Sequence, residues 1–568
     1  MTPDLQEFQL DGGVGEAPAG GQARGTSQAN HSIQAVLDAL APAFGIVPER
    51  GATGSGTRRR TWLDTFDWRL DRAGLALTYE NARLGSRLLL TANTANTANT
   101  AKTANTANTG QDGTSQAEQP AAGWQPRRPA LAEDLPEGPV RDRIEKLAAP
   151  RALLPVVTTS TTVSVNRLTN PDGKTVARLI VEASTVTHAG VTAKLPTRLT
   201  VAEVRGYPAQ ARRAARLLAD APGIVPATKT LLEEALSALR RHPADYTNSV
   251  DAEITAQMRA PVAVATLLLR LLDTLEQNVD GVIRDIDTEF LHDLRVSVRR
   301  TRSAIKLLGD VLPAGLAEQY GPEFKWLGDL TTPTRDLDVH LLGFPAMTEH
   351  LLAASPEDLE PFRAFLARRR AREFKALAAA MRAPRFRTLT EHWRKALVEV
   401  RDAATPPKRR QVRHLTAAEL ATTRTTRVFR KVAAQGGAIT QDSAPQSLHD
   451  LRKRCKELRY LLEFFAPLYD PVAYKKVIGD LKQLQDCLGE FQDSEVQREE
   501  IRVLADAMLA ERAAPAATLL AMGEIAAKLA EAQAEARADF SRRFARFAGP
   551  EGQQRVRTLL DEAGANTQ

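Results

Sequence analysis

The chain of 568 residues is poor in cysteine, in aromatic side chains and in net charge. Its two cysteines, Cys455 and Cys487, are too few to staple a small secreted scaffold or to form a four-thiolate zinc site. Aromatic residues make up 5% of the chain and are not interleaved with the basic clusters. Stacking on the bases of single-stranded nucleic acid therefore has little support. Lysine and arginine number 76 against 69 acids, a formal charge of +7. Over this length that is modest, so a polyanion site has to come from local clustering. The longest apolar run, around Val262 to Leu275, is interrupted by Arg270 and is too short to span a bilayer. The first residues, Met1 to Glu7, lack a basic and an apolar region, so no signal peptide is expected and the expected location is cytoplasmic.

What is present is enough for folded domains. The chain is 43% hydrophobic and 26% charged, and its length suggests roughly two to four domains. Residues 1–30 are rich in Gly, Gln, Ala and Ser and read as a flexible tail. From Ser32 to Val47 the spacing of Ile33, Val36, Leu37, Leu40 and Phe44 predicts a short amphipathic helix. Strand-like segments follow at 60–63, 74–79, 87–90, 153–163, 176–181 and 197–204. They place a β domain at 31–210. Thr91 to Thr109 is a tandem Thr-Ala-Asn repeat broken once by Lys102, and Gly, Pro and Gln dominate after it. The reading for 91–139 is a disordered insertion within the β domain. Residues 211–252 are expected as a helical linker, 253–548 as an all-helical domain and 549–568 as a tail.

The strongest signal is a repeat inside the helical half. Leu291-His292-Asp293-Leu294-Arg295 recurs as Leu448-His449-Asp450-Leu451-Arg452, an offset of 157 that then holds without a gap. Arg299 maps to Lys456, Arg302 to Arg459, Lys325 to Lys482, Asp336 to Asp493 and Val339 to Val496. Register kept for almost fifty residues indicates a duplication. On a helix, positions 0, +3, +7 and +10 from each histidine fall within an arc of roughly 80°. In the first copy these are His292, Arg295, Arg299 and Arg302, extended by Lys306. In the second they are His449, Arg452, Lys456 and Arg459. Leu294, Ile305 and Leu308 in one copy, and Leu451, Leu458, Leu461 and Leu462 in the other, occupy the opposite side and suit a core. An ordinary solvated basic face carries acids at i±4, and the second stripe has none until Glu463. Two such faces brought together repel unless an anion lies between them. In the second copy Gln492-Asp493-Ser494-Glu495 stands in place of Arg335-Asp336-Leu337-Asp338, and no third carboxylate or histidine lies at ligand spacing. Salt bridges that orient arginines suit these acids better than a metal, and no metal site is expected.

At these residues the chain resembles the CHAD family, the conserved histidine α-helical domain. Leu-His-x-x-Arg at 291–295 and 448–452, the basic positions that follow, and the segment from Lys325 to Val339 carry the likeness, which covers about 255–548. The resemblance implies two pseudo-symmetric four-helix bundles and the binding of inorganic polyphosphate in a basic central groove. It also implies association with polyphosphate or polyester storage granules, and no catalysis by this domain.

The N-terminal half resembles the CYTH family, a triphosphate-tunnel β-barrel, through the segment from Asp64 to Leu77 and through Leu154-Pro155-Val156-Val157. Hydrolysis in that family needs glutamates alternating along strands to hold divalent metal, and basic residues for the triphosphate. Here Glu7-Phe8-Gln9-Leu10 is the nearest candidate for the opening strand and lacks the pattern. Thr78-Tyr79-Glu80 and Thr158 to Thr162 stand where basic residues are expected, leaving Glu182 and Glu203 far apart. The resulting expectation is an α+β multidomain protein, a degenerate antiparallel CYTH-like barrel followed by a CHAD domain. It binds inorganic polyphosphate through His292, Arg295, Arg299, Arg302, Lys306, Lys325, His449, Arg452, Lys456, Arg459 and Lys482. No catalytic residue, cofactor or specific nucleic acid is expected. The alternative is a Mg-dependent inorganic triphosphatase or polyphosphatase working through the N-terminal domain.

Overall fold

The computed structural model describes residues 7–10, 25–49, 55–82, 85–92, 117–349, 351–403 and 415–565. They divide into two compact units, 1–247 and 248–568.

The first unit is built on an antiparallel sheet. Its strands are β1 (Glu7–Leu10), β2 (Gly45–Pro48), β3 (Ser55–Thr65), β4 (Leu75–Ala82), β5 (Gly85–Ala92) and β6 (Ala117–Pro120), then β7 (Leu153–Thr169), β8 (Thr175–His188), β9 (Val191–Lys194), β10 (Arg198–Glu203) and β11 (Ile224–Pro226). The order is β11-β1-β10-β8-β7-β3-β4-β5-β6, with β2 added to β7 and β9 to β8. Here the structure departs from the expected barrel: the path is open among the described residues. Its end strands, β11 and β6, are only three and four residues long, and helices cover the sheet instead. Helix α1 (Gly25–Leu40) and α4 (Pro208–Ala219) bury Val36, Leu40, Ala214 and Leu218 against Phe8, Leu179, Leu199 and Val201. Helix α3 (Pro139–Ala148) lays Val140 and Ile144 on Leu77, Tyr79, Leu88 and Leu90. Helix α5 (Leu231–Ala238), opened by the Thr230–Glu233 capping box, packs Leu236 against Trp62, Val157 and Val186. A four-residue turn of helix, α2 (Arg69–Arg72), completes the unit.

Three expectations change. The tail expected at 1–30 contains β1, whose Phe8 and Leu10 are buried, and the start of α1. The helices expected as a linker from 211 pack on the sheet as α4 and α5, because their spaced alanines and leucines form apolar stripes. The stretch from 117 to 139, expected to be disordered, pairs β6 with β5 and leads into α3. Gln119 is the reason: its Nε2 donates to the Pro136 carbonyl at 2.8 Å and its Oε1 accepts from Val140 N–H at 3.0 Å. A Cβ on Gly138, at φ +146°, would lie 2.6 Å from that oxygen, so a glycine is needed where the chain enters α3. The Thr-Ala-Asn run from 93 onward lies outside the described residues.

The second unit is all-helical. Its first part holds α6 (Ala260–Ile283), α7 (Thr288–Leu308), α8 (Leu316–Leu342), the short α9 (Phe344–Glu349), α10 (Glu360–Arg382) and α11 (Pro384–Asp402). Its second holds α12 (Ala417–Gly437), α13 (Pro445–Phe464), α14 (Pro471–Ala510), α15 (Ala516–Ala548) and α16 (Pro550–Ala565). The last of these falls in the segment expected as a tail and buries Val556, Leu559 and Leu560. The duplicated helices are α7 and α13. Leu294, Ile305 and Leu308 of one, and Leu451, Leu458, Leu461 and Leu462 of the other, are all buried. Gly281 lets α6 approach α7, since a Cβ there would sit 2.2 Å from the Phe290 ring. A shared core joins the two parts: Leu337, Phe362 and Leu366 pack with Ile501, Leu504 and Met522. No described helix is long and apolar enough to cross a membrane.

Candidate anion site

Asp287 opens α7 by accepting from Glu289 N–H at 2.9 Å and Phe290 N–H at 3.2 Å. The helix then turns its basic stripe away from its leucines. Helix α13 does the same, and α8 and α14 flank the two. Two cavities, of about 510 and 560 Å³, open between these helices. They share His292, Val296, Arg299 and Asp493 and so form one continuous groove between the two copies of the repeat.

Seven of the eleven sequence-predicted residues line the groove: His292, Arg295, Arg299, Arg302, Arg452, Lys456 and Arg459. Arg295 is held without an acid. Its Nη1 donates to Thr332 Oγ1 at 2.8 Å, Thr331 Oγ1 at 3.1 Å and the Gly328 carbonyl at 3.3 Å. Burial, followed by the nearby cations Arg299, Arg335 and Arg302, shifts it below the usual arginine value against the pull of Asp336. Arg299 lies over the Tyr460 ring, 5.9 Å from its centroid. Arg302 reaches across Gly328 on α8, where a Cβ would meet its Nη1 at 2.8 Å. Lys456 is half-buried, and burial together with Arg452 and Arg299 lowers its ammonium to about 8. None of Arg295, Arg299, Arg302 and Lys456 forms an ion pair among the described residues.

The other two sequence-predicted arginines in the lining are partly neutralised by neighbouring acids. Arg452 donates through Nη2 to Asp493 at 2.9 and 3.1 Å, and Arg459 meets Glu463 at 2.6 Å and Gln485 at 3.5 Å. The remaining four predicted residues do not line the groove. His449 Nδ1 bonds Gln492. Lys306 crosses between copies to Glu457 at 2.7 Å. Lys325 pairs with Asp329 at 2.7 Å one helical turn along, and Lys482 is exposed on α14.

Sequence reasoning missed several participants. Arg335 lines the groove and donates to the Thr288 carbonyl at 3.1 Å. Arg300 faces the other cavity, pairing with Glu463 at 3.1 Å. His340 is buried and meets Glu500 at 2.9 Å across the repeat. Helical spacing from His292 places Arg300 off the stripe, so the local pattern gave no sign of it. Asp338 does what its motif suggested: almost fully buried, it holds Arg370 at 2.8 Å, which also contacts Asp285.

In the first unit, Arg58, Arg60, Glu80, Arg87 and Glu182 share one sheet face. Glu80, nearly fully buried, is gripped by Arg60 at 2.8 Å and Arg87 at 2.6 Å, and these bonds hold its carboxyl below the usual range against burial. Glu7 of β1 pairs with Arg198 at 2.9 Å. Among the described residues no group of three or more His, Cys, Asp or Glu is placed to hold a metal.

The fold and the site together define a duplicated all-helical domain with two basic helices enclosing a groove. Residues 266–502 match the model of the CHAD domain, and this part of the chain is a CHAD domain. Similar solved structures include the CHAD domain from the plant Ricinus communis, at 24% identity and TM-score 0.40 over 55% of this chain and 96% of that one. PptA from Streptomyces chartreusis matches at 15% identity and TM-score 0.39 over 50% of this chain and 99% of that one. A Hippeastrum protein described with a dominant triphosphatase activity matches at 13% identity and TM-score 0.24 over 43% of this chain and 99% of that one. No curated protein matches the chain.

Proposed function

We propose that the CHAD domain binds inorganic polyphosphate along the groove between α7 and α13, and that this contact can hold the protein on a polyphosphate-bearing storage granule. The observation that carries the reading is the convergence of Arg295, Arg299, Arg302 and Lys456 on one groove with no ion-pair partner among the described residues. Bringing unpaired cations together costs Coulomb energy that a bound polyanion reverses. Charge-assisted hydrogen bonds contribute about 1.5 kcal/mol each at the low end. Four of them give about 6 kcal/mol, a dissociation constant on the order of tens of micromolar for one short stretch of polymer. Longer chains gain by effective concentration. Tyr460 is the aromatic residue lining these cavities, which favours a ligand of phosphates without bases.

Titration calorimetry with long-chain polyphosphate, with duplex DNA as competitor, tests the reading. Binding that DNA fails to displace at physiological salt supports it; no heat at all refutes it. The second reading is hydrolysis in the N-terminal unit, favoured by Arg58, Arg60 and Arg87 standing beside Glu80 and Glu182 on one sheet face. Against it, Glu80 and Glu7 are engaged by arginines. Phosphate release from tripolyphosphate that needs Mg²⁺ and stops with chelator would establish that activity.

A further inference from the structure

Lys456 is the odd member of the groove. The matching position in the first copy is Arg299, a planar guanidinium where Lys456 carries a primary amine. An amine at this position is a nucleophile once it loses its proton. It is half-buried, lines the 560 Å³ cavity, and forms no ion pair among the described residues. On its own helix Arg452 and Arg459 face it. Tyr460 and Glu463 of that helix line the same cavity; from α7 come His292, Arg299 and Arg300, the last paired with Glu463, and from α14 the acids Asp486, Glu490 and Asp493. Arg452 and Arg459 are already tied to carboxylates, while Arg299 is not. A cation able to seat a phosphate therefore stands beside a desolvated amine.

We propose that Lys456 is an acylation site for acyl phosphates, the mixed anhydrides of carboxylic and phosphoric acid. This inference rests on the groove being an anion site, as argued above. Arg299 holds the phosphate end and leaves the carbonyl carbon within reach of the amine. The neutral nitrogen attacks that carbon and forms the amide bond. The bond between the carbon and the phosphate oxygen breaks, its electron pair leaves with the phosphate, and the surplus proton on nitrogen passes to water. The product is acyl-Lys456 and inorganic phosphate, with no oxidant or metal required. Burial and the neighbouring arginines supply the free amine, since an ammonium lowered to about 8 is about half deprotonated at pH 8. The acylated side chain has lost its charge, so the modification weakens polyanion binding at the same groove.

The test is incubation of the full chain with acetyl phosphate at pH 8, followed by peptide mass spectrometry. Lys476, an exposed lysine, is the internal reference. We expect Lys456 to acetylate at least ~10-fold faster than Lys476, because burial and the neighbouring arginines free its amine. Tripolyphosphate should protect it, and Arg299→Gln should slow labelling by acetyl phosphate but not by an uncharged acetyl ester. Labelling of Lys456 no faster than Lys476 overturns the proposal, as does equal slowing with both reagents in Arg299→Gln. Calorimetry with polyphosphate on the same preparation separates the two readings. Binding without selective labelling defeats the acylation site alone, whereas selective labelling without binding upholds it and defeats polyphosphate as the groove's ligand.

Discussion

Replacing Arg299 and Lys456 together by glutamine removes two of the four unpaired groove cations while keeping side chains that can still hydrogen-bond. Neither residue forms an ion pair among the described residues, so neither substitution strands a buried carboxylate. At about 1.5 kcal/mol per charge-assisted contact the pair accounts for about 3 kcal/mol, or a ~150-fold loss of affinity. The salt dependence changes too. If polyphosphate behaves as a single-stranded polyanion, each contact contributes about 0.7 to the slope of log affinity against log salt, so the double variant loses about 1.4. Folding should improve. Lys456 is a base whose folded value, about 8, lies below its ordinary 10.5, so the folded state disfavours its charged form. That cost is fully present below pH 8 and fades as pH rises towards 10.5. Discounted for the solvent that reaches this half-exposed group, it amounts to about 1–2 kcal/mol. Calorimetry at three salt concentrations and thermal melts at pH 7 check both sides. Unchanged affinity and slope, with wild-type melting, would refute the assignment of these cations to a ligand site.

Lys482→Gln and Lys325→Gln, at exposed residues that do not line the groove, should change polyphosphate affinity less than twofold in the same titration. Gly328→Ala should push the Arg302 guanidinium off α8, lowering affinity several-fold, while the gain in helix propensity, about 0.5–1 kcal/mol, leaves melting unchanged or raised. Affinity should fall between pH 7 and pH 9 as Lys456 loses its proton, and Lys456→Arg should flatten that profile. Asp338→Ala leaves Arg370 with Asp285 alone and an empty space in α8; a loss of about 2–3 kcal/mol is expected in denaturant unfolding of the helical domain.

The duplication, the opposed basic and apolar faces of α7 and α13, and the change from strands to helices were all legible in the sequence. Each is a local periodic property: 100° per residue fixes which side chains share a helix face whatever that helix packs against. The buried leucines of both copies and the alignment of Arg295, Arg299 and Arg302 follow from this alone. Composition misled wherever a single contact overrides it, as with Gln119, which orders a stretch rich in Gly and Pro by capping α3.

What neighbouring helices bring to the stripe was decided only by tertiary structure. Asp493 reaches Arg452 from 41 residues away and Glu457 reaches Lys306 from 151, so a face that reads as uniformly cationic is neutralised at some positions and bare at others. Lys325 and Lys482 match in the repeat yet do not line the groove. Which cations stay unpaired depends on the crossing and register of α7, α8, α13 and α14, set by side-chain packing between distant segments. Local spacing carries the helix face; only packing selects the few charges on it that are left for a ligand.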